Sequence, residues 1–433
     1  VKDPIKTFQL VQLVRQGTLV LCSILLARSH FSVDQIGAYE WLVYLGYLVT
    51  YFWAFGFLQG LLTASGIVDR IKRGQFIWSV FYLFLIFAFL SFLTIALCGF
   101  FLPGDYDLGR LEYLAFGMWI FLSVLSMMLP NLLYISNQTW KLHVFNGIYF
   151  VGIIGVFSLI FLKGYGIDNL LFYLNVFGGF MVIWLFRELF SFGILPFRGN
   201  DIIKSFVVFW PLCIYALVGG LALVFDGWLV HYFYGEGATF AIYKYGSREF
   251  PLSVAMAAAL SNAMIPVLSL SLKEGMSGLK LRSLRQMHFL FPTSIVLLIS
   301  SHWIFTAVYG SRFEEAVIIF DIMLLVICSR MLFPQAILIA LKKNKVLLNV
   351  SLIELCFNIA LSIALVYLIG LPGIVIATVI AYLFEKMALS QYLRKEFQIF
   401  IGEYVHLGWW FGYSLILIAL FILKYTIFYP VSF

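Results

Sequence analysis

The sequence predicts an all-α polytopic membrane protein of about 13 transmembrane helices: two pseudo-symmetric six-helix lobes around a central cavity, plus one extra C-terminal helix. Three observations predict it. Hydrophobic residues make up 63% of the chain and charged residues 11%, against about 25% charged in soluble globular domains. Apolar runs of roughly 17–25 residues, the length that crosses a bilayer as a helix, recur along the whole chain with short connectors. The Lys and Arg residues collect in alternate connectors, as they do when one set faces the cytoplasm.

The expected spans lie near 8–26, 36–66, 76–101, 113–134, 144–162, 170–186, 206–225, 239–272, 289–308, 316–339, 346–369, 374–391 and 405–423. The first run has no small-residue cleavage pattern and reads as the first of the series rather than as a signal peptide. With a cytoplasmic N-terminus, the inside segments hold eighteen Lys and Arg residues and the outside segments five. The remaining five, Arg15, Lys244, Arg248, Arg330 and Lys386, fall within spans. The net charge of +7 therefore reflects orientation in a membrane and carries no implication of nucleic acid. The five cysteines are dispersed through apolar spans and the six histidines have no ligand spacing, so no metal site and no cofactor is expected.

A weak repeat gives the lobe organisation. Ile36-Gly37-Ala38-Tyr39-Glu40-Trp41 opens the second span, and Phe240-Ala241-Ile242-Tyr243-Lys244-Tyr245 opens the eighth. Each follows a short outer connector containing an acid, and each leads into a long apolar run. A shift of six spans keeps the topology the same, so the halves should be related by an axis along the membrane normal, with a site between them. The expected division is 1–190 for spans one to six, 191–395 for spans seven to twelve, and 396–433 for the additional helix.

Intramembrane charge marks the candidate site. Ionisable residues at membrane depth cost about 3 kcal/mol or more each and are functional by default. The stretch from Thr239 to Leu272 carries Lys244, Arg248 and Glu249 in a run long enough to span; read as one helix, it places Lys244 and Arg248 four residues apart on one face. Pro251 and Pro266 are expected to bend it. Arg15 lies in span one, whose helix has no acid, and Arg330 lies in span ten, with Asp321 and Glu354 of the same lobe as alternative ion-pair partners. A guanidinium grips phosphate in two-pronged fashion and Lys supplies a mobile point charge, so a cavity lined by these cations suits an anion such as pyrophosphate. Tyr39, Trp41, Tyr243 and Tyr245 flank these positions and are the aromatic candidates for stacking on sugar rings. Glu40 and Lys244 occupy matching repeat positions with opposite charge and are the candidate outer gate. Gly56 and Gly60 form a GxxxG late in span two and should mark a close helix contact.

Leu26-Ala27-Arg28 with Phe31-Ser32-Val33-Asp34-Gln35-Ile36-Gly37-Ala38-Tyr39 resembles the first outer loop of bacterial polysaccharide flippases. These belong to the multidrug/oligosaccharidyl-lipid/polysaccharide exporter superfamily. Phe225-Asp226-Gly227-Trp228, Ala241-Ile242-Tyr243 and Ile265-Pro266-Val267-Leu268-Ser269 resemble the matching stretch of the second lobe. The resemblance implies two six-helix lobes that move an undecaprenyl-diphosphate-linked oligosaccharide, such as an O-antigen repeat unit of lipopolysaccharide, from the inner to the outer leaflet. It also implies the bacterial plasma (inner) membrane, a monomer, and association with polysaccharide assembly machinery. The alternatives are a lipid II flippase and a cation-coupled multidrug antiporter of the same superfamily. Antiporters of that superfamily commonly carry an acid in span one, where this chain has Arg15. A membrane glycosyltransferase or polymerase needs sizeable outer loops. Asp105 and Asp107, in Pro103-Gly104-Asp105-Tyr106-Asp107, are the only close outer pair with the look of clustered catalytic acids, and their connector is too short to build an active site, so no enzyme is expected.

Overall fold

The computed structural model describes residues 4–65, 70–101, 108–193 and 198–428, and these are helices with no strand among the described residues. The turn containing Asp105 and Asp107 lies outside them. By contact the chain separates into two compact units.

Unit 1 comprises Val1–Val224 and Tyr234–Ala241. Its helices are α1 (Pro4–Ala27), α2 (Val33–Ser65), α3 (Arg70–Phe101), α4 (Arg110–Ser126), α5 (Met128–Ile135), α6 (Thr139–Lys163), α7 (Ile167–Phe190) and most of α8 (Gly199–Tyr234). Helix α2 is its axis. The Gly56 and Gly60 contact foreseen in the sequence is present. A β-carbon on Gly56 would meet the Cys213 backbone within 3 Å, and one on Gly60 would strike the Phe209 ring, so α8 packs directly on the α2 backbone. Two tyrosines tie the same helices together: Tyr44 donates to the Val224 carbonyl (2.7 Å) and Tyr51 to the Leu217 carbonyl (2.9 Å). Toward the cytoplasmic end of the expected orientation, Lys141 donates to both carboxylate oxygens of Glu188 at 2.8 and 2.9 Å.

Unit 1 also holds the segment that follows α8. Asp34 accepts a hydrogen bond from the Ala238 N–H at 2.9 Å, capping the start of α9 (Ala238–Gly246). Gly37 lies so close to the Gly237 carbonyl that a β-carbon would overlap it at 2.0 Å. Phe240 then packs edge-on against Trp41 and Tyr44.

Unit 2 comprises Phe225–Phe233 and Ile242–Phe433. It contains α10 (Pro251–Leu270), α11 (Leu272–Tyr309), the short α12 (Ala316–Leu324), α13 (Ile327–Arg330) and α14 (Pro334–Ala340), then α15 (Asn344–Ile369), α16 (Leu371–Phe397), α17 (Ile401–Tyr404) and α18 (Leu407–Leu423). Helices α15 and α16 form a hairpin whose turn uses Gly370 at φ 69°, a left-handed conformation that favours glycine. The core lies between α10, α11 and α14, where Leu290, Phe291, Met331, Leu332 and Phe333 are fully buried.

Ten helices among the described residues are long and apolar enough to cross a membrane, and eleven if the broken α12–α14 counts as one span. Helices α1 and α8 run over the remaining two expected spans.

Two expectations of continuous helix are corrected. The eighth span is not one helix over 239–272: α9 ends at Gly246 and α10 begins at Pro251. Proline lacks the N–H that would continue the ladder and pushes the preceding residue out of the α region, and Phe250 has ψ 107°. Lys244 therefore ends a helix while Arg248 and Glu249 lie in the break, so the two cations do not share a helical face. The tenth span breaks in the same way, by 43° before Pro334.

Candidate functional site

The breaks deliver charge to the interior of unit 2. Arg330 ends α13 and Glu249 lies in the 247–250 break; the guanidinium donates to the carboxylate from Nε at 3.0 Å and from Nη2 at 2.7 Å. Arg330 also sits over the Tyr382 ring at 5.4 Å. The partner foreseen for Arg330, Asp321 or Glu354, is corrected: Asp321 is fully buried and accepts instead from Lys424 and Tyr425, both at 2.6 Å, at the end of the C-terminal helix. Helix α18 is thus tied into unit 2, and its Trp410 indole donates to the Cys328 carbonyl at 2.8 Å, satisfying a backbone acceptor beside the break.

Removing one partner of a buried ion pair strands the other, at about 3–5 kcal/mol when both are fully buried. Arg330 and Glu249 retain 30% and 17% side-chain exposure, so the loss here is smaller. Arg330→Met should lower the melting temperature, and adding Glu249→Gln should recover part of it. A double variant no more stable than Arg330→Met would show that the pair does not hold the breaks together.

Beside this pair is a second polar cluster. Asp226 accepts from the Thr378 hydroxyl at 2.7 Å, and Asn358 accepts from Ser362 at 3.1 Å. Asp226 Oδ1, Glu354 Oε1 and Asn358 Nδ2 are buried without a hydrogen-bond partner among the described residues. Lys244 lies close enough to act on the Asp226 carboxylate, as do Asn358 and Thr378. On α15, Glu354, Asn358 and Ser362 recur every four residues and so share a face; on α16, Thr378 and Tyr382 do the same. Nearby, Glu385 and Lys386 pair at 2.6 Å. No group of three or more His, Cys, Asp or Glu residues is placed to hold a metal ion among the described residues. Two carboxylates with hydroxyl and amide oxygens suit a proton or a monovalent hard cation better than a transition metal.

In unit 1, Arg15 is half-buried on α1, with its guanidinium over the Tyr149 ring of α6 at 5.6 Å. No carboxylate forms an ion pair with it among the described residues. In unit 2, Lys244 lies over the Tyr243 ring at 5.9 Å and Arg248 over the Tyr245 ring at 5.0 Å, each half-buried. Glu40 is buried in unit 1.

The four aromatic candidates are engaged by protein in this conformation. Tyr39 packs edge-on to Phe157, Trp41 stacks on Tyr44, and Tyr245 stacks on Phe313 with centroids 4.5 Å apart. Tyr243 is buried as well. A sugar platform needs an open ring face, and these rings do not offer one here.

No protein-family model matches the sequence, and no curated protein matches it. Solved structures do match over nearly the full chain. The lipid II flippase MurJ in an inward closed conformation superposes with TM-score 0.70 and 18% identity, covering 98% of this chain and 98% of that chain. An inward-facing multidrug resistance MATE family transporter of the MOP superfamily gives 0.60 at 14% identity, over 97% and 99%. A MOP superfamily transporter from Pyrococcus furiosus with a binding pocket of reversed polarity gives 0.55 at 15%, over 91% and 96%. The fold is like that of MurJ and of MATE transporters, with two lobes. Identities this low establish the architecture alone.

Proposed function

We propose that the protein is a flippase that moves an undecaprenyl-diphosphate-linked oligosaccharide, a polysaccharide repeat unit, from the inner to the outer leaflet by alternating access. The observation that carries this reading is Arg15: a cation at membrane depth with no carboxylate in an ion pair with it among the described residues. A buried charge needs a counter-charge, and a pyrophosphate supplies one with geometry that suits a guanidinium. Arg248, in the α9–α10 break, is the candidate cation of the second lobe. Arg330 is a weaker candidate, because Glu249 already occupies its donors. Lys244, in the last turn of α9 and close enough to act on Asp226, is also a weaker candidate. In this reading the second lobe begins with α8 near residue 191, and the segment after residue 396 is an addition to it.

Lipid II shares the polyprenyl-diphosphate anchor, so the MurJ-like fold supports a lipid-linked saccharide as a class, and the sugar is what separates the two flippase readings. The test is translocation in proteoliposomes of a fluorescent lipid-diphosphate saccharide, of lipid II, and of cationic drugs. Movement of the repeat-unit lipid but not of lipid II supports the reading. Preferential movement of lipid II selects the first alternative, and drug export without either lipid selects the antiporter.

The gate belongs to the same reading. Glu40 and Lys244 are proposed to approach when the outer side closes. Glu40→Lys and Lys244→Glu should each impair translocation, and the double variant should recover a substantial part. A double variant no better than the worse single removes the gate.

A further inference from the structure

We propose that unit 2 binds the headgroup of a phospholipid carrying a primary ammonium group, of the phosphatidylethanolamine class, in a cavity at one end of α11, α12, α16 and α18. This site is separate from the charged breaks and does not depend on the flippase reading.

The cavity has a volume of about 640 Å³, within the roughly 300–1,000 Å³ typical of small-molecule sites. The lining that matters is His302, Arg312, Glu314, Glu315, Lys424 and Tyr425. It brings both signs of charge together. His302 Nδ1 lies 3.6 Å from Glu314 Oε1. The Lys424 ammonium is fixed by Asp321, by Ser301 Oγ at 2.6 Å and by the Leu298 carbonyl at 2.8 Å. A purely anionic ligand would face Glu314 and Glu315; a purely cationic one would face Arg312, since Asp321 already neutralises Lys424. A zwitterion meets both signs, its phosphate toward Arg312 and its ammonium toward the carboxylates.

The surroundings say that the occupant has an apolar tail. Trp303, next to His302, is 65% exposed, and Leu423 and Ile427, on either side of Lys424 and Tyr425, are 44% and 62% exposed. On helices this apolar, such side chains meet acyl chains, and an exposed Trp beside polar residues marks the depth where headgroups begin. In the orientation expected from the positive-inside pattern, this is the outer leaflet.

Chemistry favours a primary ammonium over choline. Two carboxylates accept N–H hydrogen bonds, which a quaternary ammonium cannot donate. Quaternary groups are held by aromatic cages, and this lining offers one phenol, Tyr425, in place of a cage.

The experiment is native mass spectrometry of the full chain in detergent. Phosphatidylethanolamine, phosphatidylcholine and phosphatidylglycerol with identical acyl chains are added at equal concentration, alongside free phosphoethanolamine. Phosphatidylethanolamine adducts should exceed the other two by about tenfold, a difference of about 1.4 kcal/mol. Glu314→Gln with Glu315→Gln should bring them down to the phosphatidylcholine level; both side chains are exposed, so the melting temperature in detergent should not move. Arg312→Ala should reduce phosphatidylethanolamine and phosphatidylglycerol together. Equal binding of the three lipids, or wild-type phosphatidylethanolamine binding by the double Glu variant, overturns the proposal. Free phosphoethanolamine binding as tightly as the lipid overturns the lipid assignment and leaves a soluble zwitterion.

Discussion

Arg15→Ala should abolish translocation of a lipid-linked diphosphate while leaving the protein in the membrane with unchanged helix content. Arg15 donates to no carboxylate among the described residues and touches the fold through the Tyr149 ring, so little of the structure depends on its charge. A buried, hydrogen-bonded charge pair typically loses about 2–5 kcal/mol when one partner is truncated, which is roughly 30-fold or more in apparent affinity. Arg248→Ala should act in the same direction; its guanidinium lies over the Tyr245 ring in the α9–α10 break. Lysine at either position should rescue partly: it restores the charge but not the planar fork that grips two phosphate oxygens. The measurement is translocation in proteoliposomes against substrate concentration, with melting temperature as the control for folding. Wild-type rates in both Ala variants would remove the cations from the substrate site. A collapse in melting temperature would make them structural.

Asp226→Asn should remove any dependence of transport on a cation. Asp226 Oδ1 and Glu354 Oε1 are buried without a hydrogen-bond partner among the described residues, and a buried carboxylate is stable only when neutralised or paired. Lys244 acts on Asp226, and a proton or a monovalent cation would supply the remaining charge of the two carboxylates, held by Asp226, the Thr378 hydroxyl and the oxygens of α15. A ligand that binds only the folded state at one hundred times its dissociation constant stabilises it by about 2.7 kcal/mol. The wild-type melting temperature should therefore rise with added sodium or with acidification, and Asp226→Asn should already sit at the higher value and respond to neither. Thr378→Val, which removes one neutral oxygen, should weaken the response rather than abolish it. A variant whose melting temperature follows sodium and pH like the wild type would show that no cation binds there.

These two predictions draw on different kinds of information. Arg15 was visible in the sequence because a lone cation in an apolar run stands out against its own helix. The Asp226 cluster was only half visible. Glu354, Asn358 and Ser362 carry a helical period that could have been read from α15 alone, and Thr378 and Tyr382 do the same on α16. Nothing local says that these faces turn toward Asp226, more than a hundred residues earlier.

The sequence by itself determined that the chain is a helical membrane protein, where its spans lie, and that Gly56 and Gly60 mark a close contact. Hydropathy, the alternation of cationic connectors and small-residue spacing are short-range properties, and the cost of burying charge in lipid enforces them residue by residue. Tertiary structure decided the rest. Pro251 announced a disturbed eighth span, but whether a proline bends a helix or ends it depends on whether neighbouring groups satisfy the backbone it frees, and the break before Pro334 was not foreseen. Here the helices end, and the breaks carry Arg248 and Glu249 and leave Arg330 at the edge of the other. The choice of partners was likewise out of reach: Arg330 met Glu249 rather than Asp321, and Asp321 met Lys424 of the last helix. Ion pairs between helices are set by rotation and depth of packing, which follow from how entire helix faces fit together and not from spacing along the chain.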